Sequence, residues 1–246
     1  MSTLVKSSKF TSDKIASALK VGRRDSYWGL NLNVFPMEAD ELREQYLVWK
    51  EKAEQIMVGT GAYFSPFEHI HVTASSPAPF RHPGHSNWTD ADRSCFTDAW
   101  IEALRDNCSV LNDEWPKRPF PLVFERLELH GNCGIVLLED PTNSVSRIRQ
   151  CVSRCPQHPA LCAEKMKMLV AQSGFRSPSI IHCTVMRLTG EYMEDFDSEL
   201  EARWARVARE WTRCVVTAQR MTFVKEIVAY QHFRQSEGLI AEFPYN

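Results

Sequence analysis

Glu68-His69-Ile70-His71-Val72-Thr73-Ala74 and Ser179-Ile180-Ile181-His182-Cys183-Thr184-Val185 are the two stretches on which the fold turns, because each carries His-x-Thr inside a short strand-like run. Side chains alternate faces along a β-strand, so His-x-Thr sets an imidazole and a hydroxyl on one face, about 7 Å apart. Two such strands facing each other make a site. Imidazole can give and take a proton near neutral pH, and a threonine hydroxyl can donate to a phosphoryl oxygen. The pattern predicts acid-base chemistry on a phosphate, with His71, Thr73, His182 and Thr184 as the catalytic residues.

One His-x-Thr alone says little, since about one His in twenty would show it by chance. The surroundings of the two copies say more. After His71 come a helix-like stretch (91–111) and a hairpin-like pair (122–129 and 135–139) joined through His130-Gly131-Asn132-Cys133-Gly134. After His182 come a helix-like stretch (199–214) and a second pair (221–230 and 239–243) joined through a polar turn at Ser236-Glu237-Gly238. The order is motif strand, helix, hairpin, twice, which reads as a duplicated half.

With these two motifs, and with His182-Cys183-Thr184-Val185-Met186-Arg187 matching a frequent His-x-Thr-x-x-Arg ending, the chain resembles the two-histidine phosphoesterase superfamily from Trp28 to its last residue. That superfamily includes cyclic nucleotide phosphodiesterases and RNA 2′,5′-ligase-like proteins. The first copy departs from the longer pattern, since Ser76 stands where the Arg would fall. The resemblance implies an α/β (α+β) bilobal fold, two antiparallel sheets forming a concave cleft with helices outside, one motif in each lobe and the terminal strands sharing a lobe. Residues 1–27 then form a tail or short helix, and 28–246 a single catalytic domain with pseudo-twofold halves.

The expected activity is metal-independent hydrolysis of a cyclic nucleotide phosphate or an RNA-end phosphodiester. One neutral His takes a proton from water, the other, protonated, gives one to the leaving ribose oxygen, and both Thr hydroxyls steady the non-bridging oxygens. Unperturbed imidazoles near 6.5 would give a bell-shaped profile between roughly pH 5 and 8. No cofactor or metal is called for. Arg187 is a candidate phosphate contact, although three residues after Thr184 it should face away unless the strand ends or bulges. His69, two before His71, either orients it or contacts substrate, or is simply hydrogen-bonded at the cleft wall. Among the aromatics near the motifs, Tyr63, Phe64, Phe80 and Trp88, Tyr63 and Trp88 are candidate base-stacking residues, and Phe64 reads as core.

With 246 residues, 43% of them hydrophobic, the chain can bury a sizeable core. A formal charge of −2 disfavours non-specific nucleic-acid binding driven by overall charge. No apolar run reaches the ~20 residues of a membrane span, and no secretory h-region is present. Eight Cys without a signal peptide read as reduced thiols in a cytoplasmic protein, expected to be a monomer. The first twenty-five residues also have some likeness to a mitochondrial transit peptide, against which stands the absence of Arg before Arg23. Cys151, Cys155, His158 and Cys162 have helix-like spacing that could grip zinc, but Pro156 and Pro159 break such a helix. Two alternatives to a small-nucleotide enzyme follow: an RNA-binding relative acting on oligonucleotides, and a zinc-stabilised interaction protein without chemistry.

The remaining organisation is read from periodicity. Residues 28–35 alternate apolar and polar as a half-buried strand does, and 38–57 carries an amphipathic helix with Leu42, Tyr46, Trp49, Ala53 and Ile56 inward. Residues 75–90, rich in Pro, Gly and Ser, read as a loop bordering the site, either a lid or a surface insertion. Helices are expected over 143–154 and 160–172, the second stopped near Ser173-Gly174.

Overall fold

Leu30, Leu32 and Val34 alternate with Asn31 and Asn33 along the first strand, β1 (Leu30–Phe35), and in the computed structural model both sets are buried. Residues 28–35, 40–80, 83–85, 87–109, 111–131, 133–188, 197–226 and 235–245 are described; the N-terminal segment 1–27 lies outside them. The leucines and Val34 join one continuous core with α1 (Asp40–Ile56), whose Leu42, Tyr46, Trp49 and Ala53 line up at helical spacing and are almost fully buried. The Trp49 indole N–H donates to the Val207 carbonyl at 3.1 Å, which ties α1 to a helix from the other half of the chain.

β2 (Ala62–Phe64) and β3 (Val72–Ala78) follow, then α2 (Asp90–Asn107), opened by a reciprocal capping box between Thr89 and Asp92. The hairpin β4 (Phe120–His130) and β5 (Cys133–Glu139) leads to α3 (Ser144–Arg154), α4 (Glu164–Ser173), β6 (His182–Leu188) and α5 (Asp197–Arg209). β7 (Cys214–Ala218), β8 (Arg220–Lys225) and β9 (Leu239–Pro244) complete the chain. Gly174, at φ +72°, stops α4 in the left-handed conformation that its sequence position forecasts.

The strands run β7-β4-β5-β6-β3-β1-β8-β9, every neighbour antiparallel, with β2 added on β6. Among the described residues, a four-stranded sheet and one extended by β2 therefore meet where β3 pairs with β6 at Val72 and Cys183. The fold is the expected bilobal α/β one. One lobe is contiguous in sequence apart from β2 (β4, β5, β6, β7), whereas the other draws β1 and β3 from the start and β8 and β9 from the end.

Several expected elements are corrected. The helix expected to reach Cys214 ends at Arg209, and Cys214 opens β7, because the β-branched run Val215-Val216-Thr217 favours a strand. Residues 75–78 belong to β3 rather than to the loop, Pro77 included. The helix expected over 160–172 breaks at Ala163, leaving one turn over Pro159–Cys162 before α4. The zinc spacing does not converge: Cys151 and Cys155 are buried, His158 Nε2 meets the Asp106 carboxylate at 2.9 Å, and no cluster among the described residues could hold a metal ion. No helix among the described residues is long and apolar enough to cross a membrane.

Candidate active site

Val72 and Cys183, the middle residues of the two His-x-Thr motifs, are the pair that joins the sheets, and both point into the core at 0% and 1% exposure. Alternation then turns His71, Thr73, His182 and Thr184 to the opposite face together. The antiparallel direction sets each histidine beside the other strand's threonine. All four line one cavity of about 450 Å³ over the seam.

Each motif strand takes a β-bulge at the same place. Against β1, Thr73 pairs with Asn33 but Ser75 with Leu32, so Ala74 is an extra residue. Against β5, Thr184 pairs with Ile135 but Met186 with Gly134, so Val185 is the extra residue. A bulge resets alternation, and the third residue after each Thr returns to the cleft face. Ser76 and Arg187 accordingly line the same cavity as the motif residues. Gly134 is required at the second bulge, since a Cβ there would run into the buried Trp204 ring. The extra carbonyls are both satisfied: Ser65 N–H donates to the Val185 oxygen at 2.9 Å, and Arg149 Nε donates to the Ala74 oxygen at 3.1 Å.

The floor of the cleft is a row of asparagines and hydroxyls. Ser76 Oγ donates to Asn31 Oδ1 at 2.5 Å, and Thr73 Oγ1 approaches Asn33 Oδ1 at 3.5 Å. His71 Nδ1–H donates to the His69 carbonyl at 2.9 Å, which leaves Nε2 as the basic nitrogen. Burial pushes the His71 pKa down to about 4, against the pull of that hydrogen bond, and the cationic forms of Arg187, His182 and His69 lower it further. His182 is also lowered by burial; the Ile180 carbonyl opposes the shift, while His130, Arg149 and Arg187 add to it. Arg187 Nη1 lies 3.0 Å from the Cys133 sulfur, its register partner on β5.

Other candidates lie elsewhere. His69 ends a single 3₁₀ turn (Phe67–His69), and its backbone carbonyl, not its ring, serves the site by holding His71. Tyr63 pairs with Arg187 in the β2–β6 register but does not line the cavity. Trp88 is corrected to a core residue: it packs on Trp28 and Phe96 with ring centroids 5.4 and 4.8 Å away, and its indole N–H donates to Gln172 Oε1 at 3.0 Å. Of the loop aromatics it is Phe80 that reaches the cleft.

Sequence reading missed Asn31, Arg176 and Glu226, which complete the wall with Pro79 and Pro178. Arg176 is placed by a two-way backbone bridge to Ser76, 2.7 and 3.1 Å, reinforced by Ser75 Oγ donating to the Arg176 oxygen at 3.1 Å. The Asn-x-Asn alternation of β1 was the available signal for the floor. Nothing in the local sequence marks Arg176 or Glu226.

The chain is thus a two-lobed α/β protein in which each lobe brings one His-x-Thr strand to a shared seam. Among solved structures, TT0787 of Thermus thermophilus is similar at a TM-score of 0.51 and 11% identity, over 88% of this chain and 97% of that one, which shows a shared fold. E. coli LigT complexed with NADP+ matches at 0.49 and 12% identity, over 89% and 97%, and LigT complexed with 3′-AMP at 0.49 and 10%, over 89% and 98%. No family model and no curated protein matches the chain.

Proposed function

We propose that the chain is a phosphodiesterase of the two-histidine kind, acting on a 2′,3′-cyclic nucleotide phosphate or on an RNA-end phosphodiester. The observation that carries this reading is the convergence of two imidazoles and two threonines on one cavity from the paired motif strands, with Arg187 returned to the same cavity by the bulge at Val185. His71, with the lower pKa, is the general base: its Nε2 takes a proton from the attacking water as oxygen bonds to phosphorus. His182 is the general acid and gives its proton to the ribose oxygen as the P–O bond breaks. Thr73 and Thr184 donate to the non-bridging oxygens, and Arg187 offsets the charge that builds on them. Proton transfer and hydrogen bonding cover the chemistry, so turnover is expected to persist in EDTA.

The cavity lining continues from Thr73 and Ser76 on β3 to Pro79 and Phe80 beyond the end of the strand, which leaves space beyond a phosphoryl group for a nucleoside. Phe80 supplies a ring against which a base can stack.

The test is a panel of 2′,3′-cyclic nucleotides and cyclic-phosphate-ended RNAs in EDTA, with His71→Ala and His182→Ala beside the native protein. Each variant is expected to lose at least about 100-fold in kcat. Full turnover in either variant, or turnover by the native protein only when metal is added, would overturn the assignment.

A further inference from the structure

Two sheets that share one residue pair need something else to fix the distance between their motifs. Arg149, on α3, reaches both. Its Nε donates to the Ala74 carbonyl at 3.1 Å and its Nη2 to the Ile180 carbonyl at 3.0 Å. Ala74 is the bulged residue directly after Thr73, and Ile180 lies two before His182. We infer that Arg149 is a positioning residue that clamps the two His-x-Thr strands to each other and thereby sets the spacing of the two imidazoles. It does not line the cavity.

The chemistry of the side chain fits the task. The extra residue of a bulge leaves a carbonyl outside the ladder, and a buried carbonyl without a donor costs about 1–3 kcal/mol. A guanidinium is planar and always charged, with donors in a fixed fork, so one side chain can serve two carbonyls, one in β3 and one just before β6, at a set separation. A lysine offers one point of charge and cannot reproduce that fork. Another cross-lobe tie, the Ser76–Arg176 bridge, lies further along β3. Arg149, by contrast, donates to carbonyls flanking both motifs.

The consequence for the proposed reaction, on which the catalytic part of this inference rests, is a loss in kcat without a matching loss in binding. A misplacement of about 1 Å between catalytic groups can cost about 100-fold in rate. The variants are Arg149→Gln, which removes the fork, and Arg149→Lys, which keeps the charge. Amide hydrogen exchange over residues 72–74 and 182–184 is followed by NMR in both. In Arg149→Gln these amides are expected to exchange at least about 10-fold faster, while β4, β7 and β9 keep native rates. kcat per folded molecule is expected to fall about 100-fold with KM within about threefold, and Arg149→Lys to fall between the two.

Native exchange at the seam in both variants would overturn the clamp, as would acceleration spread evenly over all strands. If Arg149→Gln does not fold, Arg149→Lys carries the test, and failure of both to fold would also overturn it, since the side chain would then hold the whole fold rather than the seam. Hydrogen exchange needs no substrate. A native protein inactive on every phosphodiester tried would thus sink the proposed reaction and leave the clamp to be decided by exchange alone.

Discussion

His71 and His182 occupy equivalent positions, yet they are not equivalent bases. Burial lowers both, and His71, pushed to about 4, is the one that stays neutral through the mildly acidic range. The consequence for pH follows from the signs. As pH falls through about 4, His71 gains a proton and the base is lost. As pH rises, His182 loses its proton below its ordinary value of about 6.5, and the acid is lost. The kcat/KM profile of the free enzyme is therefore expected to be a bell confined to about pH 4 to 6.5, more acidic than the roughly pH 5 to 8 forecast from unperturbed imidazoles. An anionic substrate between the rings favours their charged forms, so the kcat profile should lie at higher pH than that of kcat/KM. Stopped assays across roughly pH 3.5 to 8.5 decide the point, and a kcat/KM optimum above about pH 7 would contradict the assignment. The imidazoles and threonines were legible because their spacing is local. The depth of their burial was not, since it depends on β1, β5 and α3, all distant in sequence.

At the scale of the element, the decisive feature is one that alternation alone could not locate. Arg187 was expected to face away from Thr184 unless its strand bulged, and the bulge is there, at Val185, with its counterpart at Ala74. The reason lies partly on another strand: Gly134 of β5 has no Cβ, so the Trp204 ring of α5 lies against the backbone opposite Met186. Gly134→Ala would drive a methyl group into that ring. The expected loss is about 1–3 kcal/mol of unfolding free energy by urea titration, together with a raised KM, because Arg187 depends on the local register. A variant of native stability and KM would show that the bulge does not need the glycine. β1 teaches a related lesson. Its apolar and polar alternation reads as one face in the core and one in water, but Asn31 and Asn33 are 4% and 0% exposed beneath the cleft. A sequence pattern distinguishes polar from apolar surroundings; it does not distinguish bulk solvent from the floor of a site. β7 escaped for a different reason, since α5 runs almost into it with only a short connection over 210–213.

For the whole molecule, the duplication visible in the order of elements does not correspond to two separable pieces. β1 pairs along its length with β8, from Leu30 against Lys225 to Phe35 against Arg220, so the lobe that carries His71 is closed by the end of the chain. The other lobe, β4 to β7 with α3, α4 and α5, is continuous from Phe120 to Ala218. An asymmetry in folding follows. A fragment of residues 28–118 keeps β1, β2 and β3 but lacks β8, leaving Leu30, Leu32 and Val34 on a strand with one open edge and their packing partner Phe223 absent. It cannot bury enough apolar surface to offset its chain entropy and is expected to remain unfolded by circular dichroism and by NMR dispersion. Residues 119–218 retain four of the lobe's strands, β4 to β7, and three helices, and should show native-like secondary structure, although β6 loses its pairing with β2 and α5 loses the Trp49 contact to Val207. Cleavage between 110 and 119, after α2 and before β4, should leave a complex that holds together, because β1–β8 pairing, the seam and Arg149 all cross the cut. Co-expression of 1–118 with 119–246 tests this directly: co-purification with kcat near native is the expected result. An independently folded 28–118 would mean that the lobes, not the interleaved sheet, are the folding units.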